Sequence, residues 1–368
     1  MSDTQIIDLD EPEPPARREP WRAGSLAVVA APLVIVAIVV WLALPRPTDN
    51  SARTPVPTAG DQFVIITAPQ VTNRPPATPD LATSTPAIAG ESGDPEILED
   101  QRWTGVSPAY PARGDVAEAV LRGAAYVIGG TGTSEDGQHV YRYARDGTRE
   151  RVADLPISLD HAMAATLEDR IYVFGGFVFG QASARVFSLG ANDARWIEHS
   201  LMPQGRAAGG AAVLGDRIWL VGGVAGNGNE ISDVWSWDGK GRWATGFSRL
   251  PTPRDHLAVS TYRGRICAAG GNGGERAFEC YEPVRNEWTK MPDLRKGVIG
   301  GRAVEAAGWF WVVATDVHVF TIDHWHFGPR LQTPRAGHAL VTIDGWLYVL
   351  EGGMGLATAR IESFHPQP

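Results

Sequence analysis

Along most of this chain, apolar residues come in short runs that end on paired glycines. "AYVIGG" ends at Gly130, "IYVFGG" at Gly176, "IWLVGG" at Gly223, "ICAAGG" at Gly271 and "LYVLEGG" at Gly353. Between these runs, apolar and polar residues alternate and are broken by Gly, Asp and Asn, which is the pattern of strands and turns. The first glycines of the pairs are Gly129, Gly175, Gly222, Gly270 and Gly352, at steps of 46, 47, 48 and 82 residues. The last step holds two shorter repeats. The missing pair falls near residue 314, where "WFWVVATDVHVF" keeps the strand but has Ala314 and Thr315 in the glycine places. Turn prolines at Pro156, Pro203, Pro251, Pro292 and Pro334 keep the same beat. In the fourth repeat the pattern predicts strands near 256–261, 265–270, 276–281 and 287–290.

Six units of four strands, repeating every ~40–50 residues, specify a β-propeller. Paired glycines at strand ends let the backbone turn through positive φ and let a neighbouring blade approach closely. They are read as structural, not catalytic. The region resembles a kelch-repeat propeller. That family's pattern is a double glycine after an apolar second strand, then an aromatic, then a Trp six or seven residues on. Trp237 with Trp243 and Tyr281 with Trp288 fit it. The resemblance covers residues 101–368; the first repeat lacks the Trp and the fifth lacks the glycines. It implies an all-β, six-bladed kelch-type propeller with four-stranded blades. The sixth unit supplies three strands before the sequence ends at "RIESFHPQP". Residues 101–111, "QRWTGVSPAYP", are expected to complete that last blade, which removes two open sheet edges.

Composition changes the picture upstream. Residues 24–44, "GSLAVVAAPLVIVAIVVWLAL", carry no charge. As a helix they would span roughly 30 Å, a bilayer core. The preceding 1–23 is long and acidic and no clear cleavage site follows, which favours an uncleaved signal anchor. Arg17, Arg18 and Arg22 before the span, against Arg46 and Arg53 after it, put the acidic 1–23 tail in the cytoplasm and the propeller outside. Residues 45–100 hold ten prolines with many Thr, Ala and Ser. They read as a disordered linker. The whole then matches a bacterial-type kelch protein anchored by a single span.

The net charge of −9 argues against nucleic acid. There is no Walker loop, HExxH or CxxC, and no cofactor is expected. Fourteen residues before each double glycine stand Asp115, His161, Ala208, His256 and His338. A rotation about the axis spreads these positions over different blades, so no metal site is expected. Arg113, Arg206 and Arg254 stand two residues before that position, and Arg335 three before His338. At the starts of inner strands they would ring one channel mouth with forked donors suited to an acidic peptide or a carboxylated sugar. The resemblance implies the same, since kelch propellers often bind partners at this mouth. Glu351 is an isolated acid at the end of a second strand and needs a partner or a widened channel. Cys267 and Cys280 are cross-strand neighbours if their hairpin is symmetric. Two readings stay open for them: a disulfide, or two small core thiols.

The leading functional reading is a non-enzymatic, membrane-anchored, extracytoplasmic module, monomeric as a propeller. It binds a protein or glycan at the Arg-lined mouth, through Arg113, Arg206, Arg254, Arg335, His161, His256 and His338. The alternative is a propeller enzyme acting on a sugar, mutarotase-like, with an acid and arginines at the channel mouth. A copper radical oxidase is disfavoured because both cysteines are committed to one hairpin. Loops between second and third strands vary in length and are expected to shape specificity.

Overall fold

The computed structural model describes residue 98 and residues 101–106, 111–132, 136–354 and 356–367. The acidic tail, the apolar run 24–44 and nearly all of the linker 45–100 lie outside the described residues. Among the described residues no helix is long and apolar enough to cross a membrane.

Six antiparallel four-stranded sheets form the propeller. Blade four shows the plan: Ala258–Tyr262 innermost, then Arg265–Ala269, Phe278–Glu282 and Glu287–Lys290 outermost. These bounds fall within about two residues of those the alternation predicts. Blade five, the repeat without glycines, keeps all four strands, from Arg302–Ala306 to Trp325–Phe327. In blade six the strands Ala339–Ile343, Trp346–Leu350 and Ile361–Phe364 are joined by Thr104–Val106, which pairs antiparallel with Ile361–Phe364. A segment from before blade one therefore closes the last blade.

Apolar packing lies between blades. Tyr126 and Ile128 of blade one meet Val173 and Trp196 of blade two in one cluster. Phe278 of blade four meets Phe310 and Trp325 of blade five in another. The outer-strand Trp of a blade wedges against the blade before it and donates its indole N–H to a carbonyl there: Trp196 to Ala153, Trp288 to Ser248, Trp325 to Pro292 and Trp103 to Pro329, at 2.8–2.9 Å. Burying such a ring is worth about 2–3 kcal/mol, and the indole donor stays paired. Cys267 and Cys280 lie directly opposite each other in blade four and form a disulfide.

The axis is closed by backbone. Asp115, His161, Ala208, His256, Gly300 and Gly337, one from each blade, all have φ between 51° and 68°. Each passes a hydrogen bond to the next: His161 N to Asp115 O (2.9 Å), Ala208 to His161 (2.8 Å), His256 to Ala208 (2.7 Å), Gly300 to His256 and Gly337 to Gly300 (both 2.9 Å). Val116 N to Gly337 O, at 3.3 Å, completes the circle.

This ring corrects the register of blade six. Its member there is Gly337, so His338 lies one place beyond the two ring histidines. The second strand of blade six ends at Leu350, as others end at Ile128, Phe174, Val221 and Ala269. Glu351, at φ 57°, therefore occupies the first glycine's place and Gly352, at φ 88°, the second. At Gly175 the reason for a glycine is plain: a Cβ would lie 2.0 Å from the carbonyl oxygen of Arg206 in the next blade.

Candidate functional site

The four arginines do not line the mouth. Arg113, Arg206, Arg254 and Arg335 each stand two residues before the ring, and each is at most 1% exposed. Their guanidinium groups point into their blades, where three of them take up backbone carbonyls at the ends of second strands and Arg206 donates to Asp233 O, just before the third strand, at 3.1 Å. Arg113 donates to Gly129 O at 2.7 Å, Arg254 to Gly270 O at 2.8 Å and Arg335 to Val349 O at 3.2 Å.

A second partner comes from one fixed position, the second residue of the third strand. Glu279 pairs with Arg254 at 2.5 Å and Glu362 with Arg335 at 3.2 Å. Trp235 stacks under Arg206 at 3.8 Å, and Tyr141 lies 4.9 Å from Arg113. Arg206 makes no ion pair among the described residues; burial pulls its pKa down and the more distant Asp233 carboxylate opposes the fall. Blades two and five have Leu159 and Val298 in the arginine's place, with Phe187 and His318 opposite. Arg113, Arg254 and Arg335 are thus internal braces whose buried charge is met by a carboxylate, while Arg206 is held by the Asp233 carbonyl and the Trp235 ring.

Glu351 is fully buried at the seam between blades six and one. It accepts from Arg113 at 2.8 and 3.0 Å, from Arg149 at 3.4 Å and from the Tyr143 hydroxyl. Burial, then the adjacent carboxylate, pushes the Tyr143 pKa up. His338 is also fully buried. Burial and then Arg335 hold its pKa well below the usual histidine value, so it is neutral and out of reach of a ligand.

Two of the expected residues do reach the surface together. His161 and His256 project from the ring with side chains 19% and 32% exposed, and their rings meet edge-on at 4.9 Å. Each is oriented by the residue before it: His161 Nδ1 lies 2.6 Å from Asp160 and His256 Nδ1 2.5 Å from Asp255. Asp115 faces His161 Nε2 at 3.4 Å and accepts from the Thr131 hydroxyl at 3.1 Å. The mouth is therefore acidic, with three carboxylates and two imidazoles where a ring of cations was expected. Among the described residues no group of His, Cys, Asp and Glu could hold a metal ion.

The neck beneath the histidines leaves about 20 Å³. Behind it Arg302 and Glu118, missed in the sequence, bridge the channel at 3.1 Å. Burial raises the Glu118 pKa and Arg302 opposes the rise. The channel then widens to about 340 Å³ at the opposite mouth, between inner strands of Ala, Val and Thr.

The loops around the ring extend this face. In blade two Phe177–Val178 and Gln181–Ala182 form a small hairpin. Phe177 packs on His161 at 5.4 Å. At the tip, Phe179 is 100% exposed with φ 49°, followed by Gly180 at φ 77°.

No family model matches the chain. Beta-scruin of Limulus polyphemus is 26% identical over 222 residues, which is 52% of this chain and 24% of beta-scruin. Kelch-like protein terF of Aspergillus terreus is 27% identical, over 56% of this chain and 50% of its own length. The human Kelch repeat and BTB domain-containing protein 13 is 26% identical, with the same coverages of 56% and 50%. The chain spans half or less of the length of these relatives. The solved structure of YjhT matches with a TM-score of 0.63 at 17% identity, over 69% of this chain and 95% of that one, a likeness of fold alone. Kelch relatives and a ring of six four-stranded blades together support the kelch-repeat family for this chain.

Proposed function

We propose that this protein is a non-enzymatic binding module. Its partner is a protein that docks on the ring face, with Phe179 as the apolar anchor and Asp115, Asp160, His161, Asp255 and His256 at the centre. One observation carries this reading. Phe179 is a bulky aromatic held fully exposed at a turn position where positive φ favours Gly or Asn. Such strain at an exposed aromatic is a mark of a recognition loop. The partly exposed carboxylates of Asp115 and Asp160, with Asp255 buried behind them, favour a basic side chain from the partner over the acidic one suggested by the arginines. Burial of those arginines also removes the support for the sugar-enzyme alternative.

In this reading the propeller is monomeric and stands outside the cytoplasm, carried by residues 24–44 as a single-span anchor and by the linker 45–100. The Cys267–Cys280 disulfide supports that side of the membrane, since such bonds persist in oxidising compartments.

The test is selection of a random-peptide phage library on the purified chain, beside a glycan array. Peptides joining a basic residue to apolar ones should bind, and Phe179→Ala should weaken them by about tenfold or more. The same labelled peptides should stain intact cells that express the chain. Peptides insensitive to Phe179→Ala, or binding of glycans alone, would refute the docking face; staining only after permeabilisation would refute the placement.

A further inference from the structure

The channel has a second mouth, opposite the ring. In every blade the first and second strands are joined by a turn of two residues, as at Arg122–Gly123 and Arg263–Gly264. These turns make a tight, preformed rim, with no loop long enough to close over it. Behind the rim lies the cavity of about 340 Å³, a volume in the range of small-molecule sites. It is blind, because the neck of about 20 Å³ and the hydrogen-bonded ring shut its far end. Its walls are apolar, with Val120, Ala165, Val259 and Val304 among them. Each inner strand pairs only with the second strand of its blade, so its free edge turns backbone carbonyls to the channel.

Two charged side chains line this cavity, Glu118 and Glu305, and among the described residues no Lys, Arg or His does. Glu118 sits at the inner end. Both of its oxygens lie 3.1 Å from Arg302 Nε. The other nitrogens of Arg302 turn away, to Gly301 O at 3.3 Å and Val116 O at 2.9 Å. One N–H thus serves a carboxylate with about four acceptor sites. Burial raises the Glu118 pKa more than Arg302 lowers it, as expected of a carboxylate short of donors. Glu305 stands at the rim, exposed, and accepts from the Arg263 backbone N–H at 3.4 Å. The two acids are not a cluster. Glu118 lies three residues beyond its ring member Asp115, and Glu305 five beyond Gly300. They stand on different blades and differ in depth by about 7 Å.

We propose that this cavity binds a linear aliphatic diamine, with one ammonium on Glu118, the other on Glu305 and the methylene chain between them on the Val and Ala walls. At about 1.5 Å per bond, a chain of roughly four to six carbons spans two carboxylates so placed. The same spacing excludes a metal ion, whose ligands must close to about 2.0–2.6 Å on one point. An anion would meet two carboxylates and no free cation. The methylenes gain by leaving water, and ammonium protons not taken by a carboxylate find carbonyls on the strand edges. The site lies on the far side of the ring from the docking face around Phe179 and does not depend on it.

Titration calorimetry of the purified full chain with diaminopentane tests this. The diamine should bind saturably, pentylamine about tenfold or more weakly, and pentanoate not at all. Glu305→Gln should bring the diamine down to the affinity of pentylamine. Glu305 is exposed and makes no ion pair among the described residues, so this variant keeps the fold. Glu118→Gln/Arg302→Met removes the inner pair together and should abolish binding of both amines, with an unchanged circular-dichroism spectrum to verify folding. No saturable binding of the diamine, equal affinity for diaminopentane and pentylamine, or an affinity unmoved by Glu305→Gln would each overturn the proposal. So would binding of pentanoate in place of the amines, which would give the cavity to Arg302.

Discussion

At the scale of the residue, the chain sets two costs against each other at Glu351. A non-glycine residue at φ 57° loses about 1–2 kcal/mol to backbone strain. Leaving Arg113 buried without its carboxylate costs more, about 3–5 kcal/mol. Glu351→Gly, which restores the repeat's glycine and relieves the strain, is therefore expected to lower stability by about 1–4 kcal/mol. Removing both charges with Arg113→Met/Glu351→Gly should recover most of that loss. Urea unfolding of the three proteins decides the matter; a stabilised Glu351→Gly would mean that strain, not the ion pair, dominates at this seam. The register of this residue was hidden in the sequence for the same physical reason. Positive φ is rare outside glycine, so "LEGG" invites alignment on its two glycines, and the true frame starts one residue earlier. That slip also placed His338 among the ring histidines.

At the scale of the element, four of the six blades repeat a brace: an arginine two residues before the ring, set against the second residue of the third strand; blade two fills both places with Leu159 and Phe187. Blade five breaks it with Val298 and His318. His318 is fully buried, and neither of its ring nitrogens has a hydrogen-bond partner. Burial drives its pKa down to about 4, against a weaker upward pull from Asp316; Lys296 and Arg295 add to the lowering. The unfolded chain has an ordinary histidine pKa of about 6.5, so between these values unfolding takes up a proton. The neutral ring's contribution is complete above about pH 6.5 and is lost as pH falls through about 4, some 3 kcal/mol in all. His318→Phe copies Phe187 of blade two. Its advantage over the unmodified protein should grow by about that amount between pH 7 and pH 4. Urea midpoints over that range measure it, and a constant difference would show that His318 does not titrate on unfolding. Strand positions were legible because alternation and glycine pairs mark them directly. The direction of the arginines was not, because the partners that draw them inward, Glu279 and Glu362, lie a strand and a loop further on. The sign of the mouth's charge was misread with them.

At the scale of the whole molecule, the repeats form a circle, and a circle has no terminal unit. In an open array an end repeat can fray while the rest stays folded. Here every blade is held on two sides, and three separate devices meet at the seam. The strand Thr104–Val106 completes blade six, Glu351 of blade six pairs with Arg113 of blade one, and Val116 N to Gly337 O closes the ring of hydrogen bonds. Trp103 anchors the closing strand. It is 1% exposed, lies 5.4 Å from the Phe364 ring and donates its indole N–H to Pro329 in blade five. Trp103→Ala should therefore cost about 3–5 kcal/mol, like other large aromatic deletions from a core. The shape of the transition is as informative as its midpoint. If the seam couples the circle, the variant loses blade six and its neighbours together, in one transition shifted to lower denaturant with an unchanged slope. Two resolved transitions, with the tryptophans of blades two to four melting later, would show instead that the ring can open at blade six and leave the remaining blades standing.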